Sequence, residues 1–174
     1  CERHLLRQLR SSRRWPVTNT SQKWLKSFLA TDLKNTKATA PLPTSWRFKN
    51  SDLRVFTAED LQALKNTFKK IRDPSGLLAE LLVARSFYEQ GYHLRAHRSK
   101  TPFAEVDLVM ERWGEVNIIE VKQSFGFVHL SRNQRARLLR ARNHYAKEFN
   151  EVRVHFAMVN SEANVEVIED VLAV

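Results

Sequence analysis

The hydrophobic period of this 174-residue chain changes at Gly91, and that change restricts the fold more than any other feature. Before Gly91, apolar residues recur every three to four positions, which predicts a helix over residues 75–91 that Ser75 caps and Gly91 ends. After Gly91, apolar and polar residues alternate, which predicts a series of strands. A helical pattern of this kind followed by strands excludes an all-helical bundle.

The elements after Gly91 complete the predicted core. Alternation predicts strands at residues 93–98, 103–111 and 115–123, the last two joined by a tight turn. The helical period then returns over residues 131–149, and a fourth strand follows at 152–160. The tail, residues 164–174, fits a fifth strand or a short helix. Helix, three strands, helix and strand predict an α/β sandwich with an α-β-β-β-α-β core.

The N-terminal third is predicted to be a separate, mostly helical extension. Residues 2–14 form a basic helix, a second short helix follows Ser21, and residues 31–45 form a linker rich in Thr, Asn, Ala and Pro. A helix over residues 57–71, capped by Thr57, then begins the main domain. We therefore predict an arm and linker over residues 1–56 and one domain over residues 57–174.

Positive charge is concentrated in this extension. The chain has 29 basic and 19 acidic side chains, and residues 1–54 hold twelve of the basic and three of the acidic ones. Such a segment attracts polyanions, of which nucleic acid is the commonest, with Arg13 and Arg14 as candidate contacts. A solvated tail or a contact with anionic lipid is the other interpretation. Aromatic residues lie between these cations: Trp15, Trp24, Phe28, Trp46 and Phe48. They could stack on bases, but we favour the interpretation that they dock on the core.

Composition excludes several classes of protein. A hydrophobic content of 43% excludes a wholly disordered chain, and the single cysteine, Cys1, excludes an internal disulfide and a cysteine-based zinc site. No apolar stretch is long enough to span a membrane, and the first residues lack the apolar centre of a signal peptide. We expect a soluble, cytoplasmic protein. The histidines have no metal-binding spacing and are expected at the surface or partly buried.

Acidic residues gather on one face of two adjacent strands. Glu105 and Asp107 share a face of the second strand, and Glu120 and Lys122 share a face of the third, because residues two apart point the same way. Two carboxylates side by side repel each other unless a cation lies between them. The pattern favours a site for Mg²⁺ or Mn²⁺. The alternative is a surface face with Glu–Lys cross-strand pairs.

The two helices each add a polar residue within an apolar stripe. Glu80 lies among Leu81, Ala84 and Phe87, where an unpaired carboxylate is costly, so we predict that it joins the charged cluster. A Glu at the edge of the stripe that pairs outward with an Arg is the alternative. Gln134 is predicted to face the sheet. Its helix also carries cations that either follow a phosphate backbone or form a solvated face, among them Arg132, Arg135, Arg137 and Arg140.

These pieces together resemble the PD-(D/E)XK nuclease superfamily, and its YraN-like branch in particular, which is related in fold to archaeal Holliday junction resolvases. The motifs are Leu78-Ala79-Glu80, Glu105-Val106-Asp107-Leu108 and Ile119-Glu120-Val121-Lys122, followed by Gln134. The resemblance covers residues 75–160 and implies a restriction-endonuclease-like fold.

The resemblance also implies roles for the site residues. Asp107 and Glu120 would bind Mg²⁺, with Glu80 as a direct or water-mediated ligand and the Val121 carbonyl as a further ligand. Lys122 would orient the attacking water and stabilise the transition state. Gln134 would position water or a phosphate, and Glu105 would stay outside the direct ligands.

We expect the protein to be a metal-dependent endonuclease that hydrolyses DNA and is selective for DNA structure. RNA is an alternative substrate, and a homodimer is compatible with cleavage of branched DNA. A nucleic-acid-binding module that keeps the fold without cleavage is the main competing hypothesis. A basic structural adaptor is the third.

Overall fold

The computed structural model of the protein describes residues 47–54, 56–70, 76–123 and 129–173. The predicted arm helices, the linker, Arg13 and Arg14 lie outside these ranges. Helices and strands follow one another in the order α1 (Asn50–Arg54), α2 (Ala58–Lys70), α3 (Gly76–Glu89), β1 (His93–Lys100), β2 (Glu105–Arg112), β3 (Glu115–Gln123), α4 (Arg132–Tyr145), β4 (Glu151–Val159) and β5 (Val165–Ile168).

The strands form one mixed sheet in the order β1-β2-β3-β4-β5. β1, β2 and β3 pair antiparallel, β3 and β4 pair parallel, and β4 and β5 pair antiparallel. The parallel pair requires a long crossover, which α4 supplies. From α3 to β4 the order is the predicted α-β-β-β-α-β, so the predicted fold class is confirmed, and the tail forms a strand rather than a helix.

Apolar residues cover both faces of the sheet. On one face, Leu108 and Ile119 belong to the hydrophobic cluster that contains α3. On the other face, Val109 and Ile118 belong to the cluster that contains Leu138 of α4. The central part of β2 is therefore buried on both sides, whereas strand alternation alone predicts one apolar face. No helix in the described part of the chain is long and apolar enough to span a bilayer.

Helix α3 is buried around most of its circumference. Its buried residues include consecutive positions from Leu77 to Ala84, a wider surface than the predicted stripe. The reason is that α2 packs against α3 through Leu64 and Phe68, which belong to the same cluster as the α3 residues. The helix ends as predicted, because Gly91 adopts a φ of +87°, which side chains other than glycine rarely tolerate.

The hairpin between β2 and β3 turns at the predicted position. Trp113 and Gly114 both adopt positive φ angles, of 53° and 83°, which is typical of the two-residue turn that suits the twist of a hairpin. Glycine meets this requirement without strain, whereas tryptophan does not. The Trp113 side chain is 95% exposed at the tip.

The segment 47–50 runs along the outer edge of β1. The Phe48 ring is 2% exposed and stacks on His97 with a centroid distance of 3.8 Å. Asn50 Oδ1 accepts a hydrogen bond of 2.8 Å from the Leu94 backbone N–H. The predicted docking of aromatic residues is therefore confirmed for Phe48. Phe48 and Leu53 belong to the main core, and the division of the chain at residue 56 stays a prediction.

Candidate metal centre and active site

Asp107 and Glu120 lie on the neighbouring strands β2 and β3. The antiparallel ladder of β2 and β3 ends at the pair Leu108–Ile119, and Asp107 and Glu120 are the next residues beyond this pair on the two strands. Asp107 Oδ2 accepts a hydrogen bond of 2.8 Å from the Val121 backbone N–H, which holds the carboxylate against β3. Glu120 is buried, with 8% of its surface exposed. The charge of Glu120 acts on Asp107, so the two carboxylates belong to one charged cluster, and their role as metal ligands stays a prediction.

Lys122 brings a positive charge to the same place. Its Nζ donates a hydrogen bond of 2.6 Å to Glu120 Oε1. The Lys122 side chain is 36% exposed and that of Glu120 is 10% exposed, so the ammonium group connects a buried carboxylate with the solvent-facing rim.

Negative charge exceeds positive charge around Asp107. The pKa of Asp107 is raised from 3.8 to about 7, because burial disfavours the charged form and because the charges of Glu120 and Glu80 repel it. The Val121 N–H and the Lys122 charge act in the opposite direction without cancelling the effect. A cation between the carboxylates would relieve this repulsion.

The donor set fits a hard divalent cation. Within the described ranges, no group of three or more His, Cys, Asp or Glu side chains is arranged to enclose a metal ion. Mg²⁺ does not require such a group, because proteins usually hold it through one or two carboxylates, with water and substrate phosphate as the other ligands. Asp107 and Glu120 provide the two carboxylates. The roles of the Val121 carbonyl and of Glu80 as ligands stay predictions.

Glu80 is buried on the α3 side, and both of its carboxylate oxygens accept hydrogen bonds. Its Oε2 lies 2.5 Å from His97 Nε2 and accepts a 2.9 Å hydrogen bond from Arg98 Nε, while its Oε1 accepts one of 3.1 Å from Arg98 Nη2. Burial raises the pKa of Glu80, but the hydrogen bonds and charges of His97 and Arg98 outweigh it and leave the pKa below its ordinary value. Glu80 therefore pairs with an Arg, as the alternative interpretation has it, but inside the protein rather than outward.

His97 has one defined tautomer. Its Nδ1 accepts a hydrogen bond of 3.1 Å from the Phe48 backbone N–H, so the ring proton is on Nε2 and is donated to Glu80. Burial lowers the pKa of His97 and favours this neutral form. The expectation that the histidines lie at the surface or partly buried is wrong for His97 and His155, which are 5% and 4% exposed. Both have buried polar partners that are distant in the sequence.

Arg98 is the site residue that the sequence did not identify. It has a φ of 49°, which is strained for a residue with a side chain, and strain of this kind is common at functional sites. Its carbonyl oxygen accepts a hydrogen bond of 2.6 Å from Arg47 Nη1. The hydrogen bonds to Glu80 raise the pKa of Arg98, and the charges of Asp107 and Glu105 add to that effect. Arg98 therefore binds Glu80 directly and also feels the charges of Asp107 and Glu105 on β2.

Gln134 caps helix α4. Its Oε1 accepts a hydrogen bond of 3.1 Å from the Ser131 backbone N–H, and its own N–H donates to Ser131 Oγ over 3.2 Å. This reciprocal pair is a capping box, which satisfies two of the unpaired donors at the start of a helix. The structure thus gives Gln134 a helix-capping contact, and its predicted role toward water or phosphate stays a prediction.

The cap makes a direct prediction about stability. We expect Ser131→Ala to lower the free energy of unfolding by about 1 kcal/mol, because the N–H of Gln134 loses its acceptor. Urea unfolding measures the change, and Asn133→Ala on the same exposed turn is the control. Equal stability of the two variants would contradict the capping role.

The candidate nucleic-acid contacts on α4 are exposed. The four arginines that the sequence predicts as contacts are open to solvent: Arg132, Arg135, Arg137 and Arg140. Glu105 at the start of β2 is also exposed. The first turn of α4 contains no acidic residue. The described structure therefore presents a basic ridge, which we define as these four arginines.

The raised pKa of Asp107 predicts a trade between stability and metal binding. The folded value of about 7 lies above the ordinary value of 3.8, so the folded state holds this proton more tightly, and its stability falls as the pH rises between the two values. Asp107→Asn cannot ionise and keeps an acceptor for Val121. We therefore expect it to stabilise the protein in EDTA at pH 8 by on the order of 2 kcal/mol.

Urea unfolding in EDTA between pH 5 and pH 8 measures this effect. The advantage of Asp107→Asn should shrink toward pH 5, and added Mg²⁺ should stabilise the wild type but not Asp107→Asn. Glu105→Gln, an exposed neighbour, serves as the control and should change little. If Asp107→Asn is no more stable than the wild type at pH 8, the electrostatic account of this site is wrong.

Comparison with known proteins finds a family whose model matches the part of the chain that contains the site. A family model described as "Uncharacterised protein family UPF0102" matches residues 79–169, which include Glu80, Asp107, Glu120 and Lys122. The match covers just over half of the chain.

Individual relatives carry the same family name. A UPF0102 protein of Roseobacter denitrificans is 28% identical over 108 residues, which are 57% of this chain and 84% of the relative. One of Ruegeria pomeroyi is 30% identical over 105 residues, or 55% of this chain and 85% of the relative. One of a Caulobacter species is 36% identical over 76 residues, covering 41% and 55% of the two chains.

Proposed function

The chain belongs to UPF0102, a PD-(D/E)XK, YraN-like nuclease-like family, and from this premise we propose that it is a Mg²⁺-dependent nuclease that hydrolyses phosphodiester bonds in DNA. The observation that carries the proposal is that Asp107 bonds to β3 at Val121 and is repelled by the charge of Glu120, which in turn is hydrogen-bonded by Lys122. Two carboxylates and a lysine at one point of a sheet are the groups that metal-assisted phosphodiester hydrolysis requires.

Each side chain has a defined task in this proposal. Asp107 and Glu120 hold the metal, which when bound supplies a water of lowered pKa and neutralises charge on the phosphate. Lys122 orients the attacking water and offsets the negative charge that develops on the phosphate oxygens. The contact between Lys122 and Glu120 keeps the ammonium group close to the metal ligands.

Glu80 acts in this proposal through its partners rather than as a primary ligand. Its carboxylate already accepts three hydrogen bonds from His97 and Arg98. This arrangement holds the Arg98 cation within the electrostatic reach of Asp107.

Nucleic acid reaches the site by way of basic surfaces. The basic ridge on α4 provides four exposed guanidinium groups that suit phosphate oxygens. The concentrated charge of residues 1–54 adds affinity that does not depend on sequence. Selectivity for branched or flapped DNA, and the use of a homodimer, belong to the same proposal.

A cleavage time course tests the proposal. Linear, single-stranded, flapped and four-way-junction DNA, together with single-stranded RNA, are incubated with Mg²⁺, Mn²⁺ or EDTA. Cleavage should require the metal and be lost in Asp107→Asn, while Glu105→Gln should cut at a rate close to that of the wild type. Absence of metal-dependent cleavage on every substrate would reject the enzyme.

A binding module without cleavage is the second candidate. The hydrogen bonds of Glu80 to His97 and Arg98 favour it, because they occupy three of the roughly four lone-pair sites of a carboxylate that the nuclease would otherwise direct to a metal. Salt-sensitive DNA binding combined with absent cleavage would select this candidate.

A further inference from the structure

A basic groove runs along the outer edge of β1, apart from the basic ridge on α4. The segment 47–50 forms one wall and β1 forms the other, and the groove has a volume of about 550 Å³. Its lining contains Arg47, Lys49, Arg95 and Lys100 and no acidic residue. We define these two walls and the four cations as the edge groove.

We propose that the edge groove binds the phosphate backbone of a nucleic-acid strand and leads that strand toward the Asp107–Glu120 site. The proposal deepens the proposed nuclease function and rests on it for the direction of the strand. Binding itself is measured without cleavage.

The charges in the groove favour a polyanion of extended form. Lys49 and Lys100 are exposed, and no ion pair joins either side chain to an acidic residue in the described ranges. From Leu94 to Lys100 the strand spans about 20 Å, because each residue of a strand advances about 3.3 Å. That length suits several successive phosphates rather than one small anion.

The other two cations are held in place by the fold. Arg47 donates to the Arg98 carbonyl over 2.6 Å. Arg95 pairs with Glu111 at 3.0 Å and with Glu148 at 3.5 Å, so its charge is largely balanced already. Recognition therefore depends mainly on Lys49 and Lys100, with Arg47 as a fixed positive wall.

The groove is connected to the candidate active site by direct contacts. His97 lies in the lining of the groove. Its Nδ1 accepts from the Phe48 backbone N–H, and its Nε2 donates to Glu80. Arg47, in the same lining, holds the carbonyl of Arg98, whose side chain is paired with Glu80. A strand bound in the groove thus lies against the residues that position the charges around Asp107.

Fluorescence anisotropy with labelled single-stranded and duplex DNA in EDTA tests the groove. Lys49→Gln/Lys100→Gln removes two cations from it, and Lys65→Gln/Lys69→Gln removes two from helix α2 as the matched control. Lys49, Lys69 and Lys100 are exposed and Lys65 is half-buried, and circular dichroism verifies that both variants fold. We expect the groove variant to bind duplex DNA about 10-fold or more weakly near 0.1 M salt, because each lost phosphate contact removes about 0.9 from the slope of log affinity against log salt. The control should stay within about twofold of the wild type, since it loses no phosphate contact.

Each outcome separates the groove from the nuclease proposal. Unchanged affinity and salt slope in the groove variant, with cleavage by the wild type intact, would overturn the groove alone. Groove-dependent binding without any cleavage would support the groove and reject the enzyme.

Vesicles of phosphatidylcholine and phosphatidylserine test lipid as the ligand. A groove variant that loses vesicle binding but keeps DNA binding would assign the groove to lipid and overturn the proposal.

Discussion

Lys122→Met should lower the rate of metal-dependent DNA cleavage by about 10²- to 10³-fold, the usual effect of removing one group that stabilises charge in the transition state. The methionine keeps the length and packing of the side chain but cannot orient a water or offset charge on the phosphate. DNA affinity in EDTA should change little, because the basic ridge and the edge groove remain. The comparison of cleavage rate with affinity therefore separates a catalytic lysine from a binding lysine.

Single-turnover cleavage on the preferred DNA measures this effect. Lys69→Met, which changes an exposed lysine that pairs with Glu162 on the surface, is the control and should retain the wild-type rate. If Lys122→Met cuts as fast as the control, Lys122 has no part in the chemistry.

Glu80→Ala should be the most destabilising single change at the site. The carboxylate is the common partner of His97 and Arg98, and its removal takes from a partly buried guanidinium group the carboxylate that accepts its Nε hydrogen bond. Breaking a buried pair in this way typically costs about 3 to 5 kcal/mol. Glu80→Gln keeps an acceptor oxygen of similar size and should lose less.

Urea unfolding of the two variants measures this prediction. Glu89→Ala on the same helix is the matched control, because Glu89 pairs with Arg85 on an exposed surface, where such a pair is worth about 0 to 1 kcal/mol. Equal losses in Glu80→Ala and Glu89→Ala would show that the buried network contributes nothing beyond an ordinary surface pair.

Local rules were sufficient for the predicted elements within the described ranges. Thr57 accepts a hydrogen bond of 3.1 Å from the Asp60 N–H and so caps α2, and Gly91 ends α3 with a positive φ. The alternation of side chains predicted the faces of Asp107 and Glu120, and the two residues directly follow the last pair of the antiparallel β2–β3 ladder. These features depend on residues close in sequence or on a two-residue period.

The surroundings of Glu80 could not be predicted by the same rules. His97 and Arg98 follow Glu80 by 17 and 18 residues, and β1 carries both side chains to α3 at a point where the backbone of Arg98 takes a positive φ. A stripe analysis identifies Glu80 as a buried acid, but only the packing of α3 on β1 identifies its partners. The docking of Phe48 on His97 is of the same kind, since 49 residues separate them.

The segment 47–50 also affects how the sheet meets other molecules of the same chain. An open edge strand is a template for strand addition and aggregation. Side chains of Arg47 and Asn50 occupy a carbonyl and an N–H on β1, and the opposite edge, β5, has only four residues. Among the described residues, the edge of β1 is therefore interrupted at Leu94 and at Arg98, and the β5 edge is short, which leaves a second copy of the chain less backbone to pair with at either edge.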